Sequence, residues 1–240
     1  MYNSLVIFPI RALGWVHRKV VRPALPTLRP VSFNGVDSPY DWKVLDGLLP
    51  KRFRPGGICD IPDYESALMA GLKSSVRKGD HVVVVGGGVG ITAVAAAKLA
   101  GPTGRVTCYE ASKKQLPLIE RCIKRNALAG RVTLVAAAVA KNSEAYGGER
   151  FALPSIPASE LPECDVLEMD CEGAEVEILP VLSFRPRVVL VETHGIYGAP
   201  TESIQEMLLA KEYRVSDLGW AEPRLSRLCE KNDIRVLLGN

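Results

Sequence analysis

The 240-residue chain is long enough to form one large α/β domain with an appended segment, and its hydrophobic fraction of 47% is typical of a globular protein. Its net charge of +3 gives no argument for nucleic-acid binding, and no apolar run approaches the roughly 18 residues of a membrane-spanning helix. Its six cysteines form no C-x-x-C pair, which favours reduced thiols in a cytoplasmic protein.

The N-terminal quarter of the chain differs in composition from the rest. Residues 1–62 hold eight of the seventeen prolines, which predicts an extended, wrapping arm in front of a domain over residues 63–240. The stretch Ser4–Val21 is basic and amphipathic, and no acidic residue precedes Asp37. It could make peripheral contact with an anionic membrane or an acidic partner. Alternatively it packs on the core or on a second subunit of a homo-oligomer, which we favour because Pro9 interrupts any long helix.

The predicted domain begins with a helix, a strand and a second helix. The first helix covers Tyr64–Val76, with Asp63 as its expected N-cap. Val82–Val85 then predicts a strand buried on both faces, as a parallel sheet requires. After four glycines, the alanine-rich stretch Ile91–Ala100 predicts a helix that ends at a Gly-Pro pair. Glycines between a strand and a helix let backbone N–H groups approach a ligand, which indicates a nucleotide-cofactor site.

Two cofactor patterns fit these glycines. Gly86, Gly88 and Gly90 match the G-x-G-x-G pattern of S-adenosylmethionine (SAM) methyltransferases and are the predicted cofactor-binding residues. The stretch from Gly88 to Ala93 also matches the G-x-G-x-x-A pattern of an NAD-dependent oxidoreductase. Many SAM methyltransferases have an acidic residue where this chain has Val84. A third interpretation is therefore a non-catalytic, methyltransferase-like binding or scaffold subunit.

The next two predicted strands supply further cofactor contacts. The strand Arg105–Glu110 ends 20 residues after Gly90 in an acidic side chain. A carboxylate at such a strand end can accept hydrogen bonds from both ribose hydroxyls of a nucleotide, so Glu110 is predicted to bind the ribose. The strand Arg131–Ala136 leads to Ala138, which is small enough to lie beside an adenine ring. Small residues here are also consistent with an ordinary core.

Acidic side chains and a histidine follow two later strands, Asp165–Asp170 and Val188–Glu192. Ligands bind at the carboxyl ends of parallel strands, so Asp170, Glu192 and His194 are expected to meet there as catalytic residues. His194 is the predicted general base for a hydroxyl acceptor, because the ordinary histidine pKa lies near neutrality. Asp170 could orient it, or the three side chains could bind a divalent metal. A purely structural, hydrogen-bonded His194 is the alternative.

The same two strands carry a family resemblance. Asp165–Glu175 resembles the D-x-L-K-I-D-V-E-G-A-E signature of FkbM-like SAM-dependent methyltransferases. Val188–His194 resembles the strand that follows this signature in the family, which typically ends in glutamate and histidine. The resemblance covers roughly residues 64–240, and Glu168 stands where the family often has lysine.

This resemblance implies a Rossmann-like class I methyltransferase fold, in which a mostly parallel seven-stranded sheet has helices on both faces and an antiparallel last strand. It also implies SAM as the cofactor, with its ribose on Glu110, and a small-molecule, sugar or lipid-linked acceptor with a hydroxyl group. The [DN]-P-P-[YFW] motif of many amino-methyltransferases does not follow Asp170, which favours methyl transfer to oxygen.

Overall fold

The structure, a computed structural model, describes residues 13–48, 61, 63–140 and 153–240. Pro9, on which the packing prediction for the N-terminal segment depends, lies outside the described residues. The strands, in chain order, are β1 (Thr27–Phe33), β2 (Val36–Lys43), β3 (His81–Val85), β4 (Arg105–Glu110), β5 (Val132–Ala136), β6 (Ala138–Val139), β7 (Ser155–Ile156), β8 (Val166–Met169), β9 (Val188–Glu192), β10 (Val215–Trp220) and β11 (Arg235–Gly239). The principal helices are α1 (Ser66–Ser75), α2 (Ile91–Ala100), α3 (Leu116–Arg125), α4 (Glu175–Val181), α5 (Thr201–Ala210) and α6 (Ser226–Asn232).

A seven-stranded sheet organises the molecule, with the strand order β10-β11-β9-β8-β3-β4-β5. The five strands from β9 to β5 run parallel, whereas β11 is antiparallel to both β9 and β10. Every residue of β3 and β8 is buried, as expected for central strands covered by helices on both faces. The predicted α/β fold class, including the antiparallel last strand, is confirmed.

The elements around the glycine turn lie where the sequence predicts them. The helix α2 covers the predicted ten residues, and β4 and β9 also have their predicted bounds. The helix α1 begins later than predicted, because Glu65 adopts a left-handed conformation with φ of 48°. Asp63 therefore does not cap it, and pairs instead with Arg224, with Oδ2 3.0 Å from Nε.

The N-terminal segment contains a β-hairpin that packs on the domain. Strands β1 and β2 pair antiparallel, and Val31, Phe33 and Val36 are buried in the same hydrophobic core as one face of the large sheet. Before the hairpin, a short helical segment covers residues 17–24. Its last turn is fixed by buried Arg22, whose Nη2 lies 2.6 Å from Oδ2 of Asp46. Residues 27–43 thus form a β-hairpin packed on the core, within the segment whose proline content predicted an extended, wrapping arm.

Alternating side chains of the sheet enter two separate cores. Val82 and Val84 of β3 pack on the side of α1 and α2, whereas Val83 and Val85 pack on the opposite side. The strands β3, β4, β8 and β9 end at one edge, and the glycine turn lies there. Among the described residues, no helix is both long and apolar enough to span a membrane.

Candidate functional site

The glycine turn lies directly against the end of β8. Gly86 has a φ of +96°, and a Cβ atom there would overlap the carbonyl oxygen of Asp170. Gly88 has a φ of +52° and faces open space, with no atom within 4 Å of the position a Cβ would take. The turn ends at Gly90, and no side chain caps the N-terminus of α2 that follows. The backbone at Gly88 is therefore accessible to a ligand.

Glu110 supports this turn from the end of β4. Its Oε2 accepts a hydrogen bond from the Gly88 N–H at 2.9 Å, and its Oε1 accepts one from the Ser112 N–H at 2.6 Å. Burial raises the pKa of Glu110, while the hydrogen bonds from Ser112 and Gly88 oppose that change. Each carboxylate oxygen has a second lone pair, so the predicted contact with a ribose remains compatible with this arrangement.

Ala138 is less accessible than the sequence suggested. It lies in β6, is buried, and donates its backbone N–H to the Pro154 carbonyl at 2.9 Å. Ala136, at the end of β5, is exposed.

Asp170, Glu192 and His194 lie together at the carboxyl edge, as the sequence predicted. The Nε2 atom of His194 lies 3.3 Å from Oδ1 of Asp170 and 3.7 Å from Oε1 of Glu192. The pairing of β8 with β9 explains this proximity, because Met169 is opposite Val191 and the next position on each strand is an acidic residue. The imidazole of His194 is itself buried.

Glu175 holds the other side of this imidazole, a role that the sequence did not reveal. Its Oε1 lies 3.0 Å from Nδ1 of His194 and also accepts the Cys171 N–H at 3.1 Å. Because a carboxylate can only accept, Nδ1 carries a hydrogen and Nε2 is directed towards Asp170. The E-G-A-E stretch contains Glu175 and was the only sequence feature that could have indicated this contact. A glutamate at the start of a helix is, however, equally typical of an interaction with the helix dipole.

The acidic neighbours change the pKa values of the group. Burial lowers the pKa of His194, but the Glu175 hydrogen bond and the charge of Asp170 outweigh it and raise the pKa to about 9. Burial raises the pKa of Asp170, against the opposing effect of His194. The pKa of Glu192 is raised well above its usual value by burial and by nearby acidic groups. In the ligand-free protein, His194 therefore keeps its proton at neutral pH, unlike an ordinary histidine.

The two positions at which the sequence departs from the methyltransferase patterns that it resembles are neighbours in space. Val84 on β3 is directly opposite Glu168 on β8. Glu168 is fully buried, and neither carboxylate oxygen has a hydrogen-bond partner, although the Thr92 hydroxyl is near enough to favour the charged form. A carboxyl group missing from β3 is thus present on the adjacent strand.

Comparisons with known proteins agree on the fold. No protein-family model and no curated protein sequence matches the chain. It is similar in structure to ribosomal protein L11 methylase from Lactobacillus delbrueckii subsp. bulgaricus, with a TM-score of 0.52 and 16% identity over 78% of this chain and 83% of that one. It is also similar to precorrin-6y C5,15-methyltransferase from Geobacter metallireducens, with a TM-score of 0.51 and 16% identity over 76% of this chain and 89% of that one. The FkbM-like resemblance remains a prediction, and the chain has the Rossmann-like fold of class I methyltransferases.

Proposed function

We propose that the protein is a SAM-dependent methyltransferase that methylates a hydroxyl group of a small-molecule, sugar or lipid-linked acceptor. The observation that carries this proposal is the direct contact between the glycine turn and the acidic group around His194. The backbone N–H of Asp170 donates to the Val85 carbonyl at 3.0 Å, and the Asp170 carbonyl leaves no room for a side chain at Gly86. A cofactor on this turn would place its reactive end beside Asp170 and His194.

This arrangement suits methyl transfer. The reaction is an in-line displacement, so holding the acceptor oxygen, the methyl group and the sulfur in line supplies much of the rate. The acceptor hydroxyl must also lose its proton to a group within about 3 Å. Asp170, Glu192 and His194 present two carboxylates and an imidazole at one point, and we assign proton removal to them as a unit. The resemblance of Asp165–Glu175 to FkbM-like enzymes supports oxygen as the acceptor atom.

The sheet topology disfavours the oxidoreductase alternative. A dinucleotide-binding sheet has the strand order 3-2-1-4-5-6 and is mostly parallel. In this chain the antiparallel strand β11 lies between β9 and β10. The absence of an acidic residue at Val84 favours the other alternative, a protein that has the fold without turnover.

Calorimetric titration separates the three functions. We expect S-adenosylhomocysteine to bind the purified protein and NAD not to bind. Binding of NAD alone would show that the proposal is wrong, and binding of neither would favour a non-catalytic role. Substitution His194→Ala should preserve S-adenosylhomocysteine binding and lower its release from SAM during incubation with a panel of sugars, phenols and polyprenyl-linked alcohols. Equal release by the variant would exclude His194 from proton removal.

A further inference from the structure

We infer that Asp170, Glu192 and His194 form a binding site for a divalent cation. One ligand atom from each side chain lies within 4.8 Å of the other two. This site is also the site of the proposed methyl transfer. The role of the cation rests on that proposed function, whereas binding of the cation can be measured independently of it.

The distances are close to those of a coordination sphere. Neighbouring ligand atoms of an octahedral cation with bonds of about 2.1 Å are roughly 3 Å apart. Nε2 of His194 lies 3.3 Å from the Asp170 carboxylate and 3.7 Å from the Glu192 carboxylate. A small contraction of the side chains, with release of the Nε2 proton to solvent, would therefore bring all three atoms to bonding distance of one cation. The remaining positions would be open to water or to an acceptor oxygen.

The histidine is already held as metal-bound histidines usually are. Such a residue donates its second ring N–H to a carboxylate or a carbonyl, which fixes the tautomer and the ring orientation. In this structure, Nδ1 of His194 lies 3.0 Å from Oε1 of the fully buried Glu175. The same oxygen is held by the Cys171 N–H, so the carboxylate cannot easily turn away.

Glu168 supplies an independent indication that a cation belongs here. It lies on β8 two positions before Asp170, which directly follows the strand, so both side chains lie on the same face of the sheet. Its carboxyl group is fully buried, and neither oxygen has a hydrogen-bond partner of normal geometry, although the Thr92 hydroxyl is near enough to favour the charged form. It also lies close enough to Asp170, Glu65 and Glu192 for electrostatic repulsion among them. Burying a carboxyl group without hydrogen-bond partners is unfavourable, and a cation among these carboxyl groups would offset that cost.

Among the described residues, His194 is the one positively charged neighbour that acts on this acidic group. In the described part of the chain, the charged groups that act on Asp170, Glu168 and Glu192 are acidic groups and His194, with no lysine or arginine among them. Buried carboxylates are ordinarily paired or bound to a metal. A cation bound by Asp170, Glu192 and His194 would place positive charge directly beside these acidic groups.

Two carboxylates and one imidazole suit Mn²⁺ well, because it accepts both oxygen and nitrogen ligands. In the proposed methyl transfer, the cation would bind the acceptor hydroxyl oxygen and lower its pKa. It would then supply part of the work that a protein base would otherwise do. Mg²⁺ is the competing hard cation, and the test includes it.

Electron paramagnetic resonance titration of the full chain with Mn²⁺ tests the site without any acceptor or turnover. We expect saturable binding of about one Mn²⁺ per chain, with competition by Mg²⁺. Substitutions Asp170→Asn and Glu192→Gln should each weaken Mn²⁺ binding at least tenfold. The matched control is Asp63→Asn, which removes the same charge from an exposed ion pair with Arg224 and should leave binding unchanged. Both test variants preserve side-chain volume and relieve repulsion, so thermal unfolding should show that they remain folded.

The inference is overturned when the wild-type chain shows no saturable Mn²⁺ binding, or when both substitutions leave the affinity unchanged. If Mn²⁺ does not bind and Asp170→Asn also abolishes binding of S-adenosylhomocysteine, the inference is overturned in favour of a different role, in which the carboxylates bind the ammonium group of the cofactor. Calorimetry with S-adenosylhomocysteine on the same samples tests the proposed function separately. Mn²⁺ binding without S-adenosylhomocysteine binding would support the cation site and contradict the methyltransferase.

Discussion

Gly88 offers the sharpest test of whether a cofactor lies on the glycine turn. Its φ of +52° strains any other residue, but no atom lies within 4 Å of the position a Cβ would take. Substitution Gly88→Ala should therefore cost about 1–2 kcal/mol of backbone strain and create no steric overlap in the free protein. In a chain of this size, each 1 kcal/mol lowers Tm by about 2–4 °C, so the variant should fold with a Tm about 2–8 °C lower.

Cofactor binding should suffer more than stability. The N–H of residue 88 remains available to Glu110 in the variant, but the new methyl group would occupy the surface that the cofactor approaches. Such overpacking costs about 1–3 kcal/mol, which corresponds to roughly 5- to 150-fold weaker binding. Calorimetric titration with S-adenosylhomocysteine measures this change directly.

Gly35 provides the matched control. It has a φ of +77° in the turn between β1 and β2, and it also has nothing within 4 Å of a Cβ position. Substitution Gly35→Ala should lower Tm by a similar amount and leave S-adenosylhomocysteine binding unchanged. Equal affinity of the Gly88→Ala variant and the wild type would refute the placement of the cofactor against this backbone.

Three further predictions concern other parts of the molecule. Substitution Glu110→Ala should weaken S-adenosylhomocysteine binding by about 1–3 kcal/mol through lost charged hydrogen bonds, and unchanged calorimetric affinity would exclude its ribose role. Burial raises the pKa of Asp41, but hydrogen bonds and ion pairs with Arg125 and Arg121 outweigh it and hold the pKa below its ordinary value. The contribution of Asp41 to the free energy of unfolding is therefore complete at neutral pH and is lost as the pH falls below about 4. Asp41→Asn should lower the urea midpoint at pH 7, and the midpoints of the variant and the wild type should become equal in acid. Trp15 is 56% exposed beside basic residues, which supports membrane contact over packing on the core at this position; Trp15→Ser should therefore reduce co-sedimentation with anionic vesicles, whereas Leu209→Ala, at a position that is 52% exposed, should not.

The sequence was sufficient to predict the position of a residue wherever that position follows from the order and register of neighbouring parallel strands. Val82–Val85 and Ile91–Ala100 have the apolar composition of a buried strand and a buried helix, and the glycines between them leave little choice of turn. The meeting of Asp170 with His194 also follows from sequence, because both lie just beyond the ends of adjacent parallel strands.

The features that the sequence did not predict depend on long-range contacts or on individual backbone angles. Glu175 reaches His194 only because the chain turns sharply after β8, with Glu172 at φ 54° and Gly173 at φ 102°. Apolar periodicity carries no information about such a turn.

The N-terminal hairpin was missed because prolines suggested an extended arm. Pro30 and Pro39 are nevertheless tolerated in β1 and β2, since both strands of a two-stranded sheet have a free edge.

The pairing of Val84 with Glu168 shows why a motif can fail while the site it marks persists. A motif describes the position of a side chain along one strand, whereas ligand binding depends on the position of its functional group in three dimensions. Neighbouring strands are about 4.8 Å apart, so a carboxyl group moved from β3 to the opposite residue of β8 remains at the same end of the sheet. Val84, which lacks the acidic group of many SAM methyltransferases, and Glu168, which departs from the FkbM-like signature, can then be explained together as the movement of one carboxyl group between adjacent strands. On this reasoning, Val84→Asp combined with Glu168→Val should retain S-adenosylhomocysteine binding better than Glu168→Val alone.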